Sequence, residues 1–429
     1  FTPLESSKPG IYVTGASTGP KDIPMTVTDA SGAAAKASSL VASERHSQVK
    51  AHEFPPEMDT SEEPPRIGVF VCKCGINIAA YVDVPSVIEY AKTLPNVVHA
   101  EEFIYTCSQD TQKKIIDIIK KHKLNRVVVS ACTPRTHEPL FQSTLMEAGF
   151  NPHLFEMTNI REQCSWVHNW KPEKCTEKAK DLVRMAVSKA SLNQPLKREE
   201  LPVIPKGLII GGGVSGMTAA LELASQGFVT YLIERKNKLG GMLQKSYFLL
   251  GGEDPKKLLR SLRKEIDDNK KIHVFINAEV KDVQGYVGNF NTKILIDGKK
   301  EKELEHGIII VATGAKEYKP TEYLYGEDNR VLTKWELEEK LAKGSFSAKN
   351  VVMIQCVGCR NEERTYCSRV CCGDAIKNAL KIRELSPDTN VYILYKDIRT
   401  YGFREKYYQE AAEKGIIFIR YEDENKPVV

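Results

Sequence analysis

The chain has 429 residues, 41 % of them apolar and 27 % charged, with a formal net charge of +5. That length leaves room for about two to four domains with real cores. Charge of both signs, without a basic stripe interleaved with aromatics, argues against nucleic acid, and no apolar run approaches a membrane span. No signal peptide is evident; the chain opens at Phe1 without a methionine, so residues ahead of it are expected to be missing. The eleven cysteines fall in close pairs and triplets rather than at disulfide-scaffold spacing. That pattern reads as metal or redox sites in a reducing, cytoplasmic compartment.

In chain order, residues 1–45 suggest a strand at Ile11–Thr14, a glycine-bearing loop and a small-residue helix from about Thr26 to Val41. Such a piece cannot bury its apolar face alone, and a disordered leader is the bland alternative. Residues 46–66, with HEFPPEMDTSEEPP, read as a linker. From Ile67 an α/β unit begins, spanning 67–195 with a helical connector. Strands are expected at Ile67–Val71, Val97–Phe103 and Arg126–Ala131, with helices Val84–Thr93 and Thr111–Lys121 between them. These strands lead in turn to Cys72 with Cys74, to Cys107, and to Cys132. The carboxyl ends of parallel strands share one edge of a sheet, where ligands bind. Four thiolates can converge there, which is the complement of a 4Fe-4S cluster; zinc fits the same count, and buried structural cysteine is the plain alternative. Cys164, expected on a helix one turn before His168, reads as a core residue more readily than a ligand. Cys175 reads as incidental and His137 as a surface or capping residue.

The segment 196–348 is built around LIIGGGVSGMTAALELASQGFVTYLIE. A buried strand, Leu208–Ile210, runs into Gly211, Gly213 and Gly216, then a helix, Met217–Ser225, and a strand, Val229–Ile233, that ends on Glu234. Each glycine has a job: a tight turn, backbone approach to a pyrophosphate, and helix–strand packing. The helix N-terminus faces the phosphates and Glu234 the ribose hydroxyls; Arg235 beside it leaves a phosphorylated ribose as an alternative. Gly240-Gly241 follows, where flavoproteins turn over the FAD diphosphate, and IIIVATGA, with a strand at Gly307–Ala312 leading to Thr313 and Gly314, resembles their return strand. FAD is therefore expected over NAD, and residues 1–45 resemble the segment that closes such a domain. A helix is expected at Pro255–Asn269, followed by strands IHVFINAEV, VQGYVGNF and NTKILIDG.

The segment 349–429 repeats a strand (Lys349–Gln355), a helix (about Asp374–Leu385) and a strand (VYILYKD). Its connecting loop is CVGCRNEERTYCSRVCC, with Cys356, Cys359, Cys367, Cys371 and Cys372 where a nucleotide unit would carry glycines. A cluster is favoured, zinc is the alternative, and NAD(P)H is disfavoured here.

At these residues the chain resembles the flavin and iron–sulfur component of the heterodisulfide reductases, their A-subunit family. The matching motifs are VCKCGINIA, SACTPRTHEP, LFEMTNIREQCSWVH, TEKAKDLVRMAV, IIGGGVSGM, CSRVCC and DIRTYGFRE, spread over 67–429, and GPKDIP in the first 45 residues. The resemblance implies an α/β architecture: an N-terminal parallel-sheet cluster domain, then a two-dinucleotide-domain, thioredoxin-reductase-like flavoprotein fold, incomplete at its C-terminus. It also implies that the parent is a tandem of two such units, with 1–45 docking on 196–429 in place of the missing end. FAD and two 4Fe-4S clusters are implied, the second held by Cys356, Cys367, Cys371 and Cys372. The family motif has serine where this chain has Cys359, which leaves Cys359 as a neighbour or substitute. Lys377 aligns with a family lysine placed near the flavin. Expected partners are other subunits of this type and electron carriers such as ferredoxin or hydrogenase and dehydrogenase subunits, in a hetero-oligomer. Larger members carry ferredoxin inserts after the Gly-Gly motif and this chain has none, which weakens the case for electron bifurcation. The rival readings are a component of a quinone-linked complex, a pyridine-nucleotide disulfide reductase and a cofactor-free scaffold.

Overall fold

The computed structural model describes residues 3–50, 53–197 and 199–429; Phe1, Thr2, Arg198 and, within the expected linker, Ala51 and His52 lie outside the described residues. The chain forms two compact units, one of Val49–Glu200 and one joining the residues up to Gln48 with Leu201–Val429. Among the described residues no helix is long and apolar enough to cross a membrane.

The chain opens with α1 (Ile23–Leu40), capped by Asp22, whose carboxylate accepts the Met25 N–H, with Pro24 in its first turn. The strand expected at Ile11–Thr14 is reduced to a single bridge between Glu5 and Tyr12, followed by a 3-10 turn at Gly15–Thr18.

The Val49–Glu200 unit comprises β1 (Ile67–Cys72), α2 (Val84–Lys92), β2 (Val97–Phe103), α3 (Gln109–His122), β3 (Arg126–Ala131), α4 (Pro134–Glu147), β4 (Phe155–Asn159), α5 (Trp166–His168) and α6 (Pro172–Leu192). All four strands are parallel, in the order β2-β1-β3-β4. The central strands β1 and β3 are buried at every residue, as near-continuous apolar runs in a doubly covered sheet should be. Asp83, Ser108 and Thr133 accept N–H groups at the starts of α2, α3 and α4. Two departures from expectation lie near Cys164. FEMTN forms a fourth strand, and the helix expected around Cys164 is a π-turn, Arg161–Ser165, running into α5. Asn159 shapes that turn by accepting the Arg161 N–H at 3.1 Å and the Gln163 N–H at 3.4 Å.

The second unit continues with β5 (Lys206–Ile210), α7 (Val214–Ser225), β6 (Val229–Ile233), α8 (Pro255–Asp268), β7 (Ile272–Phe275), β8 (Ala278–Tyr286), β9 (Asn289–Ile296), β10 (Lys300–His306) and β11 (Ile308–Val311). A parallel sheet, β11-β5-β6-β7, is joined by an antiparallel one, β10-β9-β8. VQGYVGNF, expected as one strand, is the hairpin between β8 and β9, turning at Val287-Gly288, with Gly285 and Gly288 at φ +96° and +92°. A side chain at Gly285 would stand 2.1 Å from the Asn289 carbonyl oxygen, so the hairpin requires the glycine. β10 was invisible in the polar KEKELEH and is held by inward-facing Leu304 and His306.

His306 is fully buried, its Nδ1 donating to the Ile308 carbonyl at 3.1 Å and its Nε2 paired with the Thr292 hydroxyl at 2.8 Å. Burial holds its imidazole below the ordinary 6.5, against the Ile308 hydrogen bond that raises it. The unfolded chain therefore binds this proton first as pH falls. The stability that neutral His306 contributes is complete above about pH 6.5 and is lost as pH drops from there through the folded value. Urea midpoints measured from pH 7.5 to 5 should fall in wild type and fall less steeply in His306→Gln.

The chain then forms α9 (Lys334–Ala342), β12 (Asn350–Ile354), α10 (Cys371–Leu385), β13 (Asn390–Tyr395), α11 (Glu405–Glu413) and β14 (Ile417–Arg420), with parallel order β12-β13-β14. α9 starts on a capping box in which Thr333 and Glu336 satisfy each other's backbone N–H groups. Within this unit α1 packs on α7: Lys36 pairs with Glu222 at 2.7 Å, the Ser39 and Ser225 hydroxyls meet at 2.7 Å, and Arg45 lies 4.6 Å over Phe228.

Candidate cofactor and cysteine sites

The glycine loop turns sharply out of β5. Gly211, at φ +113°, donates to the Ile233 carbonyl at 2.8 Å, and a Cβ there would be 2.3 Å from the Ala312 oxygen. A Cβ on Gly216 would be 1.8 Å from the Gly211 oxygen, so that glycine is what lets α7 lie against the strand end. Gly213 differs. A Cβ there meets nothing within 4 Å, and no side chain caps α7 at this residue. The loop thus has tight walls and one open side, where backbone N–H groups at a helix start face outward, as an anion cradle requires.

The other expected residues gather around this loop. Glu234 is 7 % exposed; its Oε2 accepts the Gly212 N–H at 2.9 Å and its Oε1 accepts the Lys236 N–H at 2.8 Å. Each oxygen keeps a lone pair for a hydroxyl, so the carboxylate can brace the loop and still receive a ribose. Gly240 donates to the Gly212 carbonyl at 2.7 Å, and a Cβ on Gly241, at φ +49°, would be 3.0 Å from the Gly213 Cα. Thr313 follows Ala312 against Gly211, and Gly314, at φ +69°, has open space around it. Arg235 is exposed beside Glu234. The loop, the acid, the Gly-Gly turn and the return strand therefore share one edge, and their spacing fits a dinucleotide.

In the Val49–Glu200 unit, Cys72 closes β1, Cys132 follows β3, Cys107 lies past β2, and Cys74 is two residues beyond Cys72. Since β1 lies between β2 and β3, all four stand at the carboxyl ends of neighbouring strands. Cys72 and Cys132 are buried, Cys74 and Cys107 half-buried. Asn77 Nδ2 points to the Cys74 sulfur at 3.7 Å. Burial pushes the Cys72 and Cys132 thiols up, opposed at Cys132 by the Arg161 guanidinium. Arg161 and Glu162 were missed in the sequence. They pair at 2.7 Å, and Arg161 Nε and Glu162 Oε2 are buried without partners. Unspent polar atoms beside cysteines are what a charged group at this edge would engage.

Cys164 bonds within the turn and α6. Its sulfur donates to the Cys175 carbonyl at 3.1 Å, and Cys175 donates to the His168 carbonyl at 3.0 Å. Both are fully buried against α6, and burial pushes the Cys164 thiol up to about 11. Cys175 is thus a packing residue rather than an incidental one. His137 sits half-buried in the first turn of α4.

The loop between β12 and α10 begins with Cys356 at φ +63°, and Arg360 and Arg369 are also left-handed at +57° and +62°. The Cys359 N–H donates to the Cys356 carbonyl at 3.3 Å, and the Cys367 sulfur accepts the Arg369 N–H at 3.3 Å. α10 starts at Cys371, three residues before the expected Asp374, so Cys371 and Cys372 occupy its first turn. The Cys372 S–H, donating to Cys371, pulls the Cys371 thiol down to about 5 against its burial, and the helix start favours the same thiolate. Burial pushes Cys356 and Cys359 up. Arg360 pairs with Asp397 at 2.7 Å and keeps a buried Nη1 without a partner. Among the described residues, no three His, Cys, Asp or Glu side chains gather around one point as a single metal ion would need.

Lys377, on α10, is buried. Its ammonium meets Glu338 Oε2 at 2.6 Å and Asp374 Oδ1 at 3.5 Å, and lies 5.1 Å over the Phe248 ring. Glu338 is a third residue that sequence reasoning missed. Its Oε1 accepts the Tyr247 N–H at 2.7 Å, which ties α9 and α10 to the segment following the Gly-Gly turn. The only signal was an acid among acids in KWELEEKLA, on a helix whose partner face was unknown.

A family model described as pyridine nucleotide-disulphide oxidoreductase matches residues 205–354. The A-subunit of the H2:CoB-CoM heterodisulfide, ferredoxin reductase from Methanothermobacter marburgensis is 39 % identical over 84 % of this chain and 69 % of that protein. A CoB–CoM heterodisulfide reductase iron-sulfur A-subunit from Methanopyrus kandleri is likewise 39 % identical, with the same coverage of 84 % and 69 %. Among solved structures, Lactococcus lactis thioredoxin reductase is 20 % identical over 52 % of this chain and 68 % of that one, with a TM-score of 0.35.

Proposed function

The chain belongs to the A-subunit family of the heterodisulfide reductases, and we propose that it relays electrons between a bound FAD and two 4Fe-4S clusters in a complex of several subunits. It is a component of an oxidoreductase, and its pyridine nucleotide-disulphide oxidoreductase domain implies FAD. The observation that carries the proposal is the second βαβ, where three cysteines in the loop between β12 and α10 and two in the first turn of α10 stand in place of phosphate-cradling glycines. When bound, FAD supplies two-electron and one-electron exchange and the clusters supply one-electron transfer.

This chain's residues would divide the work as follows. Gly213 and the first turn of α7 receive the pyrophosphate, Glu234 orients the ribose, and Gly240, Gly241, Thr313 and Gly314 close over the dinucleotide. Arg235 borders the ribose end. Cys72, Cys74, Cys107 and Cys132 hold one cluster, with Arg161 beside it. Cys356, Cys367 and Cys371 hold the other, with Cys372 as the fourth thiolate that the family motif implies. Lys377 places an ammonium near this route, held in position by Glu338. The domains follow the same logic: residues 1–45 completing the flavin unit beside α7, a 46–66 linker, an iron–sulfur unit over 67–195, a flavin unit over 196–348 and a cysteine-bearing unit over 349–429. The partners are other subunits of such complexes and one-electron carriers, in the cytoplasm.

Two experiments test this reading. In anaerobically prepared protein, dithionite should bleach flavin and cluster absorbance, whereas NADH and NADPH should leave the flavin band unchanged; rapid bleaching by either nucleotide would revive the disulfide-reductase alternative. Cys107→Ala should remove about four irons per chain, one cluster's complement. Unchanged iron in that variant, or stoichiometric zinc in wild type, would sink the first cluster.

A further inference from the structure

Between the parallel sheet β11-β5-β6-β7 and the antiparallel sheet β10-β9-β8, Leu208, Ile233, Ile294 and Leu304 fill the middle of the space. One side is left unfilled. A cleft of about 700 Å³ opens there along β7 and β10, each the edge strand of its sheet. That is the size of a small-molecule site. We propose that this cleft binds a nucleotide, its base against an aromatic wall and its phosphate on the lysines that flank the wall.

Strand register builds the wall. Leu208 pairs with Tyr231 and Tyr231 with His273, so these two rings, and Phe275 two residues on, share the face that Leu208 turns toward the antiparallel sheet. The Tyr231 ring centroid is 5.8 Å from that of His273 and 6.3 Å from that of Phe275. His273 is exposed, and Tyr231 and Phe275 are half-buried. Rings presented in this way stack nucleobases, because every base has a π-face.

The charges come from both sheets. Lys206 lies two residues before Leu208 on the same face of β5, and Lys302, two residues before Leu304 on β10, sits 4.8 Å over the Phe275 ring. Lys302 thus covers Phe275, which leaves Tyr231 and His273 for the base. Among the described residues, no hydrogen bond or ion pair engages either ammonium, the Tyr231 hydroxyl, the His273 imidazole or the Glu305 carboxylate, all of which line the cleft. Glu303 differs, being taken up by Asn291 at 3.3 Å and Lys293 at 3.8 Å. Free ammoniums suit a phosphate, and the free Glu305 carboxylate suits an amino group on the base. The glycine loop is elsewhere: Lys206 opens β5 and Gly211 follows its other end, about 16 Å of strand away. The cleft therefore stands independently of the flavin reading.

The test uses the full chain, with adenosine 5′-monophosphate as the probe in titration calorimetry and hydrogen exchange. One molecule should bind per chain, more tightly than adenosine or inorganic phosphate. Its affinity should fall at least about fivefold in His273→Ala, the loss of one stacking partner, and fall again in Lys302→Gln. The bound probe should slow amide exchange over 272–275 and 300–306 and leave 211–217 unchanged. Slowing confined to 211–217 would place the probe in the glycine loop and overturn the proposal. So would an affinity unchanged in both variants, inorganic phosphate bound as tightly as the nucleotide, or no binding at millimolar probe.

Discussion

Gly213→Val is expected to fold with wild-type cooperativity and to purify without flavin. The three glycines of the loop fail in different ways. At Gly211 and Gly216 a Cβ would stand 2.3 Å and 1.8 Å from backbone oxygens, so substitution there breaks the turn or parts α7 from β5. At Gly213 the Cβ has nothing within 4 Å, so valine leaves the folded chain intact and fills the space proposed for a pyrophosphate. Flavin retention below about a tenth of wild type, with an unchanged melting curve, is the expected pair of results (a tenfold loss is about 1.4 kcal/mol). Full flavin content in the folded variant would remove the cradle from this loop.

The second large effect is expected at Glu338. Its carboxylate and the Lys377 ammonium are 2 % and 6 % exposed and 2.6 Å apart. Removing Glu338 leaves the buried ammonium only the longer contact to Asp374 at 3.5 Å, and breaking such a buried pair costs up to about 3–5 kcal/mol. Glu338→Ala also frees the Tyr247 N–H. Thermal or urea unfolding should register the loss in Leu201–Val429, and Glu338→Leu combined with Lys377→Met should recover most of it, since an apolar pair carries no unpaired charge. A Glu338→Ala variant as stable as wild type would mean that Asp374, already 3.5 Å from the ammonium, or water suffices for Lys377.

What could be read in advance followed from how narrowly the backbone limits each residue. The glycine loop was legible because Gly211 and Gly216 sit where no side chain fits, and Glu234 because it ends a strand at a fixed distance from them. β1 and β3 were legible because strands covered on both faces must be apolar throughout. β4 and β10 were not: FEMTN is buried at four of its five residues but mixes polar with apolar side chains, KEKELEH buries only Leu304 and His306, and a short mixed segment carries no period. VQGYVGNF misled because its β-branched and aromatic residues suit a strand, while its two glycines mark a hairpin turn. The cysteines announced themselves by number, yet where α10 starts, and hence which of them lie in its first turn, depended on a cap that no side chain supplies at Val370. Glu338 and Arg161 stayed hidden for a common reason: their partners come from segments distant in sequence or from a π-turn that no propensity marks.

The packing of α1 on α7 sets an order of events during synthesis. α1 ends at Leu40, whereas α7 runs from Val214 to Ser225, so its docking surface does not exist until about 185 further residues have been made. At translation speeds of about 5–20 residues per second, α1 waits on the order of ten to forty seconds, while the whole Val49–Glu200 unit emerges and can fold. A helix that must wait in water is safest with little to offer a wrong partner. The run SGAAAKASS within α1 is of that kind: alanine sustains the helix, serine keeps it wet, and Lys36 holds the charge that later finds Glu222.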